Sequence, residues 1–219
     1  MAKWTALFFV LIGSVQANTL QTQGVEKQKS EHVMVLNYDG FFDRIDDLDE
    51  PEYSDIKLAF YLKDQAQQAC KVESVHLKTQ YKSMEVYYMA DTGELLLPFE
   101  PKYDQDKAAI VINKNTADAC GLDMRLESSV LLNKSVTSSQ ALSLISSFDN
   151  ALDDLAGMMS FALPDVAGIT FIVEKEQSLY LLNDSAGQCE KNRCTITKRN
   201  LLNLAADVEF NISPQKAVA

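Results

Sequence analysis

The chain carries only two histidines and one tryptophan in 219 residues. It has no G-x-S-x-G elbow, so the usual hydrolase frame for an activated serine is missing. A Ser-His-Asp arrangement would have to take His32 or His76 as its base. His32 precedes the first expected strand, and His76 alternates with Val75 and Leu77 inside another; both read as surface or half-buried side chains. Trp4 is the single tryptophan. Sugar stacking would therefore fall to Tyr81, Tyr87, Tyr88 and Tyr103, residues that a sheet more often uses as cross-strand packing pairs. Basic residues are also scarce, 20 against 31 acidic, for a net charge of −11. That field repels phosphate backbones and anionic membrane surfaces, and argues against a nucleic-acid partner. Internal repeats are absent, as is any block of like charge long enough to force disorder.

What the chain does have begins at its first residues. Lys3 supplies a positive start, Trp4 to Val15 is an apolar run, and Val15-Gln16-Ala17 places small residues at the −3 and −1 positions of a signal-peptidase site. Residues 1–17 thus read as a secretory signal peptide cleaved before Asn18. The run is shorter than the roughly 20 apolar residues of a membrane span, and no lipid-attachment cysteine follows it. The expectation is an exported protein without a transmembrane anchor.

Export changes how Cys70, Cys120, Cys189 and Cys194 are read. An even count in an oxidising compartment points to disulfides. Of the three possible pairings, Cys70–Cys120 with Cys189–Cys194 keeps each bond within one structural region. A zinc site is the rival, but zinc ligands favour closer pairs with histidine nearby, and neither histidine lies near Cys189 or Cys194.

Residues 18–32 are polar and aperiodic and read as a flexible lead-in. Residues 33–136 read as a β-rich, sandwich-like domain. Val33–Asn37 is a strand. Asp39 can cap a short helix whose stripe is Phe41, Phe42, Ile45 and Leu48. Ile56–Leu62 alternates on one face, and a phase change within Cys70–Leu77 indicates a bulge or a strand break. Met84–Met89 and Glu94–Leu97 flank a hairpin turn at Asp91-Thr92-Gly93. Ala108–Ile112 is a central strand, and Leu122, Met124 and Leu126 alternate inward. Residues 137–213 read as an α+β unit. In it, Thr137-Ser138-Ser139-Gln140 opens a helix through Phe161. The helix carries a stripe of Leu142, Ile145, Leu152, Leu155, Met158 and Met159 with Phe148 beside it, and Asp149, Asp153 and Asp154 on the wet side. Strands follow at Ile169–Glu174, Leu179–Asn183, Cys194–Thr197 and Val208–Ile212, with a short helix starting at Thr197 or Asn200. Residues 214–219 read as a frayed tail. The fold class is α+β and β-rich, with a smaller helix-on-hairpin part behind the antiparallel sandwich.

Asp43, Asp46, Asp47, Asp49, Glu50, Glu52 and Asp55 form the densest charge cluster. Calcium wants six to eight oxygens, often from one loop. Pro51 falls where a ligand should be and the EF-hand glycine is missing, so a solvated acidic surface is the plainer reading. Asn133-Lys134-Ser135, Asn183-Asp184-Ser185 and Asn211-Ile212-Ser213 match the N-glycosylation pattern, which would matter in a eukaryotic secreted protein and is coincidence in a bacterial one. Met158 and Met159 could soften a partner surface, though packing on the sheet explains them as well.

The string Tyr38-Asp39-Gly40-Phe41-Phe42-Asp43-Arg44, the Gly93–Pro98 element and the pair Cys70 and Cys120 resemble a family of exported gammaproteobacterial proteins catalogued as a domain of unknown function. The resemblance covers about Val33 to Pro214. It implies a bacterial protein in a periplasmic or otherwise envelope-facing location and supplies no activity or site residues. No catalytic, cofactor-binding or metal-binding residue is assigned from the sequence, and no cofactor is expected. Two functions follow: a non-enzymatic binding or structural module with a protein or surface polymer as partner, or a hydrolase of envelope carbohydrate or peptide using paired carboxylates.

Overall fold

A computed structural model describes residues 32–128, 135–158, 163–172, 187–210, 214 and 216–219. The expected signal peptide and most of the expected lead-in, the expected strand Leu179–Asn183, the expected helix end at Met159–Phe161 and the three glycosylation-type asparagines lie outside the described residues.

In chain order the elements are β1 (His32–Asn37), α1 (Asp39–Asp46), β2 (Lys57–Lys63), β3 (Val72–Lys78), β4 (Ser83–Glu85), β5 (Tyr87–Met89) and β6 (Glu94–Leu96). They continue with α2 (Pro101–Gln105), β7 (Ala109–Lys114), β8 (Gly121–Ser128), β9 (Val136–Thr137), α3 (Ser138–Ala156) and β10 (Gly168–Ile172). The last are β11 (Gln188–Glu190), β12 (Arg193–Thr197), α4 (Lys198–Leu202), β13 (Glu209–Phe210) and β14 (Lys216–Val218). The protein is thus strand-rich α+β, and every registered strand pair is antiparallel.

A four-stranded sheet runs β1-β7-β3-β4, and an eight-stranded sheet runs β11-β12-β10-β14-β8-β2-β6-β5. Ala109–Lys114 is central in the small sheet, as its apolar run predicts. The phase change near Cys70 is a register shift between Val72 and Ser74. Met84–Met89 is not one strand: it breaks at Val86, so that β4 joins the small sheet and β5 the large one. Gly93 closes the β5–β6 hairpin at φ +82°, where a Cβ would stand 2.7 Å from the Leu62 carbonyl oxygen; glycine is needed there for both reasons.

The large sheet packs its apolar face against two partners. Phe60, Leu62 and Leu95 pack against Val75, Leu77, Ile110 and Ile112 of the small sheet. Ile169, Phe171 and Ile196 pack against Ile145 and Phe148 of α3 and Leu201 of α4. Leu58 touches both cores.

Helix α3 starts with a capping box: the Thr137 side chain accepts from Gln140 N, and the Gln140 side chain accepts from Thr137 N. Its buried stripe is Ala141, Leu144, Ile145, Phe148 and Ala151, rotated from the expected one because alanine lets the helix approach its neighbours. Leu142, Leu152 and Leu155 are only partly buried. The helix ends at Ala156 with Gly157 as C-cap, before Pro164, and Met158 is 94% exposed. Asp149 is not on a wet face: its carboxylate accepts from Val166 N and from Lys198 Nζ. Helix α1 is N-capped at Tyr38, with Asp39 in its first turn. The expected frayed tail instead supplies β14, which lies between β10 and β8. Among the described residues no helix is long and apolar enough to cross a membrane. Disulfides join Cys70 to Cys120 and Cys189 to Cys194. The first lies at the core of the two-sheet half; the second bridges registered residues of β11 and β12.

Candidate functional site

The apolar stripe of α3 outlasts the core beneath it. Past Ala151 the helix carries Leu152, Leu155 and Ala156 over a part of the large sheet that nothing else among the described residues covers, and an open groove of about 800 Å³ results. Leu58 of β2 and Met124 and Leu126 of β8 form its floor. Leu163, Val166 and Ala167, the approach to β10, form the opposite wall. Met124 is 48% exposed, because it falls in the space between the small sheet and α3. That placement corrects the expectation that Met124 points into packed core. Gly168 also lines the groove; a Cβ there would stand 2.4 Å from the Ile196 carbonyl oxygen, so β10 lies close against β12.

The charged side chains among the lining residues are two arginines, and Ala219, the last residue of the sequence, lines the groove with them. Arg44 of α1 stands at the rim, and Arg125, Thr170, Thr195 and Thr197 line the side where the groove reaches the other face of the sheet. No carboxylate or imidazole side chain is among the lining residues. Arg125 is held by Asp123, with Nε 2.9 Å from its Oδ2. Such a volume, mostly apolar walls and a few polar groups are the ordinary make-up of a ligand site. Among the described residues its lining carries no acid–base pair of side chains.

The buried charges lie elsewhere on the large sheet. Tyr61 OH donates to Glu127 Oε1 at 2.6 Å, and Lys216 Nζ donates to Tyr61 OH at 2.6 Å and to both Glu127 oxygens at 2.9 Å. Burial, then the bond to Glu127, holds the Tyr61 hydroxyl well above the usual tyrosine range. Lys63 and Arg125 also approach the Tyr61 ring, 5.5 and 5.0 Å from its centroid. Desolvation, then Arg125, pushes the Lys63 ammonium down. Glu94, the other buried carboxylate, is paired with Lys57. Both glutamates are thus neutralised by lysines, unlike the facing carboxylates that a glycoside hydrolase needs.

Residues singled out from sequence are dispersed. Asp43, Asp46, Asp47, Asp49, Glu50, Glu52 and Asp55 are all exposed. Among the described residues no three His, Cys, Asp or Glu side chains form a metal-like group. His76 is half-buried on β3, across from Glu85 of β4 and Val111 of β7. Tyr81 and Tyr87 are exposed, Tyr103 is buried, and Tyr88 OH donates to the Cys70 carbonyl at 2.7 Å. None of these tyrosines lines the groove. Sequence reasoning missed Tyr61, Glu127 and Lys216. Their signal was weak: a tyrosine and a glutamate on the outward phase of strands, and a lysine in a segment read as tail.

A family model described as Protein of unknown function (DUF2987) matches residues 30–173. No curated protein and no solved structure matches the chain.

Proposed function

The chain belongs to the DUF2987 family, and from that premise we propose that it is an exported, non-enzymatic binding module whose ligand site is the groove between α3 and β8. One observation carries the reading: the groove is walled by leucine, methionine and valine and edged by two arginines, with no carboxylate side chain, on a chain of net charge −11. Apolar surface gains from being covered at roughly 25 cal/mol per Å², and the arginines favour an occupant with negative charge. Export rests on the signal-peptide pattern of residues 1–17 and fits the two disulfides; the periplasm of a bacterium is the simplest compartment. The partner is a protein or surface polymer presenting such a group, not a nucleic acid.

The test is titration of the protein with laurate, an apolar chain with one carboxylate, followed by calorimetry. Saturable binding that falls at least tenfold in Met124→Asp, with the thermal midpoint nearly unchanged because Met124 is half-exposed, is the expected result. Binding indifferent to Met124→Asp, or none in either protein, removes the groove as the site. N-terminal sequencing of protein recovered from the producing cell should begin at Asn18; a chain retaining Met1 removes the export reading.

A further inference from the structure

We propose that the cavity where the chain crosses from the small sheet to the large one, beside β3 and β5, binds a small organic cation: an ammonium group on a short carbon body. This site is separate from the groove and does not rest on the groove's being a ligand site. Its origin is the break at Val86. The Val86 N–H still donates to the Val75 carbonyl of β3, at 2.9 Å. From Tyr87 onward the chain pairs with β6 in the large sheet instead. The parting strands leave an open cavity of about 410 Å³, within the size range of small-ligand sites.

Tyr87 and Tyr88 of β5, Glu85 of β4 and Glu73 and Ser74 of β3 line this cavity, and none of its lining residues is a lysine, arginine or histidine. Val86 turns inward at 4% exposed, so Glu85 and Tyr87 on either side of it turn outward together. Tyr87 is 67% exposed, which leaves its ring open to a ligand. The Tyr88 hydroxyl donates to the Cys70 carbonyl, and that bond fixes the second ring. Ser74 Oγ accepts from Asn113 Nδ2 at 2.9 Å and keeps a lone pair for another donor. Among the described residues no cation pairs with Glu85.

Other tyrosines of the protein already hold cations. Lys63, Arg125 and Lys216 stand 5.5, 5.0 and 5.2 Å from the centroid of Tyr61, and Lys82 and Lys102 stand 5.2 and 4.7 Å from that of Tyr103. Among the described residues Tyr87 has no such partner. A tyrosine face attracts a cation within about 6 Å, and the Glu85 carboxylate two residues away adds charge and an acceptor. A neutral hydroxyl gains from neither attraction, and an anion is repelled by Glu85. An inorganic cation lacks the ligands it needs, since no three described His, Cys, Asp or Glu side chains form a metal-like group. The carbon body of an amine covers the tyrosine ring while its head meets Glu85 and Ser74.

The experiment gives the disulfide-bonded chain three probes with one carbon body: pentylammonium, 1-pentanol and pentanoate, at an ionic strength held with sodium chloride. Binding is read by NMR from the amide shifts of Glu85 and Tyr87. The expected result is saturable binding of pentylammonium, at least tenfold weaker binding of 1-pentanol, and none of pentanoate. Tyr87→Leu keeps an apolar side chain without the π face and should weaken the amine about threefold. Glu85→Gln should weaken it by about as much. Both side chains are exposed, so neither change should move the thermal midpoint. If 1-pentanol binds as well as the amine, the cavity is merely apolar and the ammonium site is overturned. Sodium chloride alone producing the same shifts, both variants binding like the parent, or no binding of the amine would each overturn it too. Laurate tests the groove, so either site can fail while the other stands.

Discussion

Glu127 is where a single side chain holds most together. It is 4% exposed, receives both Tyr61 and Lys216, and so ties β2, β8 and β14 through charge as well as through backbone. Breaking a buried pair from one side leaves the other charge unmatched, at about 3–5 kcal/mol when burial is complete. The Lys216 side chain is 29% exposed, so water recovers part of that loss. Glu127→Gln should lower the unfolding free energy by about 2 kcal/mol, and Glu127→Gln with Lys216→Met by less than the sum of the single changes. Urea denaturation of the three variants measures both. Tyr53 gives a pH signature. Its hydroxyl donates to Asp154, and that bond, with burial behind it, pushes its pKa up from 10.0 to about 12. Below pH 10 both folded and unfolded chains keep the proton and Tyr53 adds no pH dependence. Between pH 10 and 12 the unfolded chain loses it first, so stability falls as pH rises. Thermal midpoints across that window should fall less steeply in Tyr53→Phe than in the parent.

At the scale of elements, local chemistry decides starts and turns. Removing the Thr137 cap in Thr137→Ala should cost about 1 kcal/mol, because it leaves the Gln140 N–H without its acceptor. Gly93→Ala should cost more, about 1–3 kcal/mol, since it adds backbone strain and a contact with the Leu62 carbonyl oxygen at one position. Guanidinium denaturation ranks the two; equal effects would mean that the β5–β6 hairpin relaxes freely. Both features were legible in the sequence, as Thr137 with Gln140 three residues on and as Asp91-Thr92-Gly93. The break at Val86 was not. Met84–Met89 reads as one strand because alternation does not record which of two sheets each half joins. The phase of α3 was misread for a related reason: Ala141 and Ala151 carry little hydrophobicity, yet their size is what lets the helix approach its neighbours.

For the whole molecule, the Cys70–Cys120 bond spans a sequence separation of 50 residues. Chain-entropy arguments assign a loop of that size about 4 kcal/mol. Replacing both cysteines by serine should lower stability by that order in urea, and Cys189→Ser with Cys194→Ser by about half as much, since their separation is 5. The expected division near residue 136 remains our proposal for how the chain is organised. The large sheet draws β2, β5, β6 and β8 from before that point and β10, β11, β12 and β14 from after it. The groove lies at that seam, where β8 meets β14 and α3 passes overhead. Of its lining, Leu152 and Leu155 could be picked out as apolar helix positions, and Met124 as an apolar strand position. Nothing local marked them as neighbours.

What the sequence determined by itself is what short-range physics controls: the strand-rich α+β class, most element positions, the capping box, the glycine turn, the bulge and the outward acidic surface. Those depend on side-chain period, φ preference and hydrogen bonds within a few residues. Only the tertiary structure decided that Lys216–Val218 joins the large sheet between β10 and β8 instead of fraying, and that Tyr61, Glu127 and Lys216 meet. Those outcomes depend on which distant strands pair, and no local pattern in the chain encodes that choice.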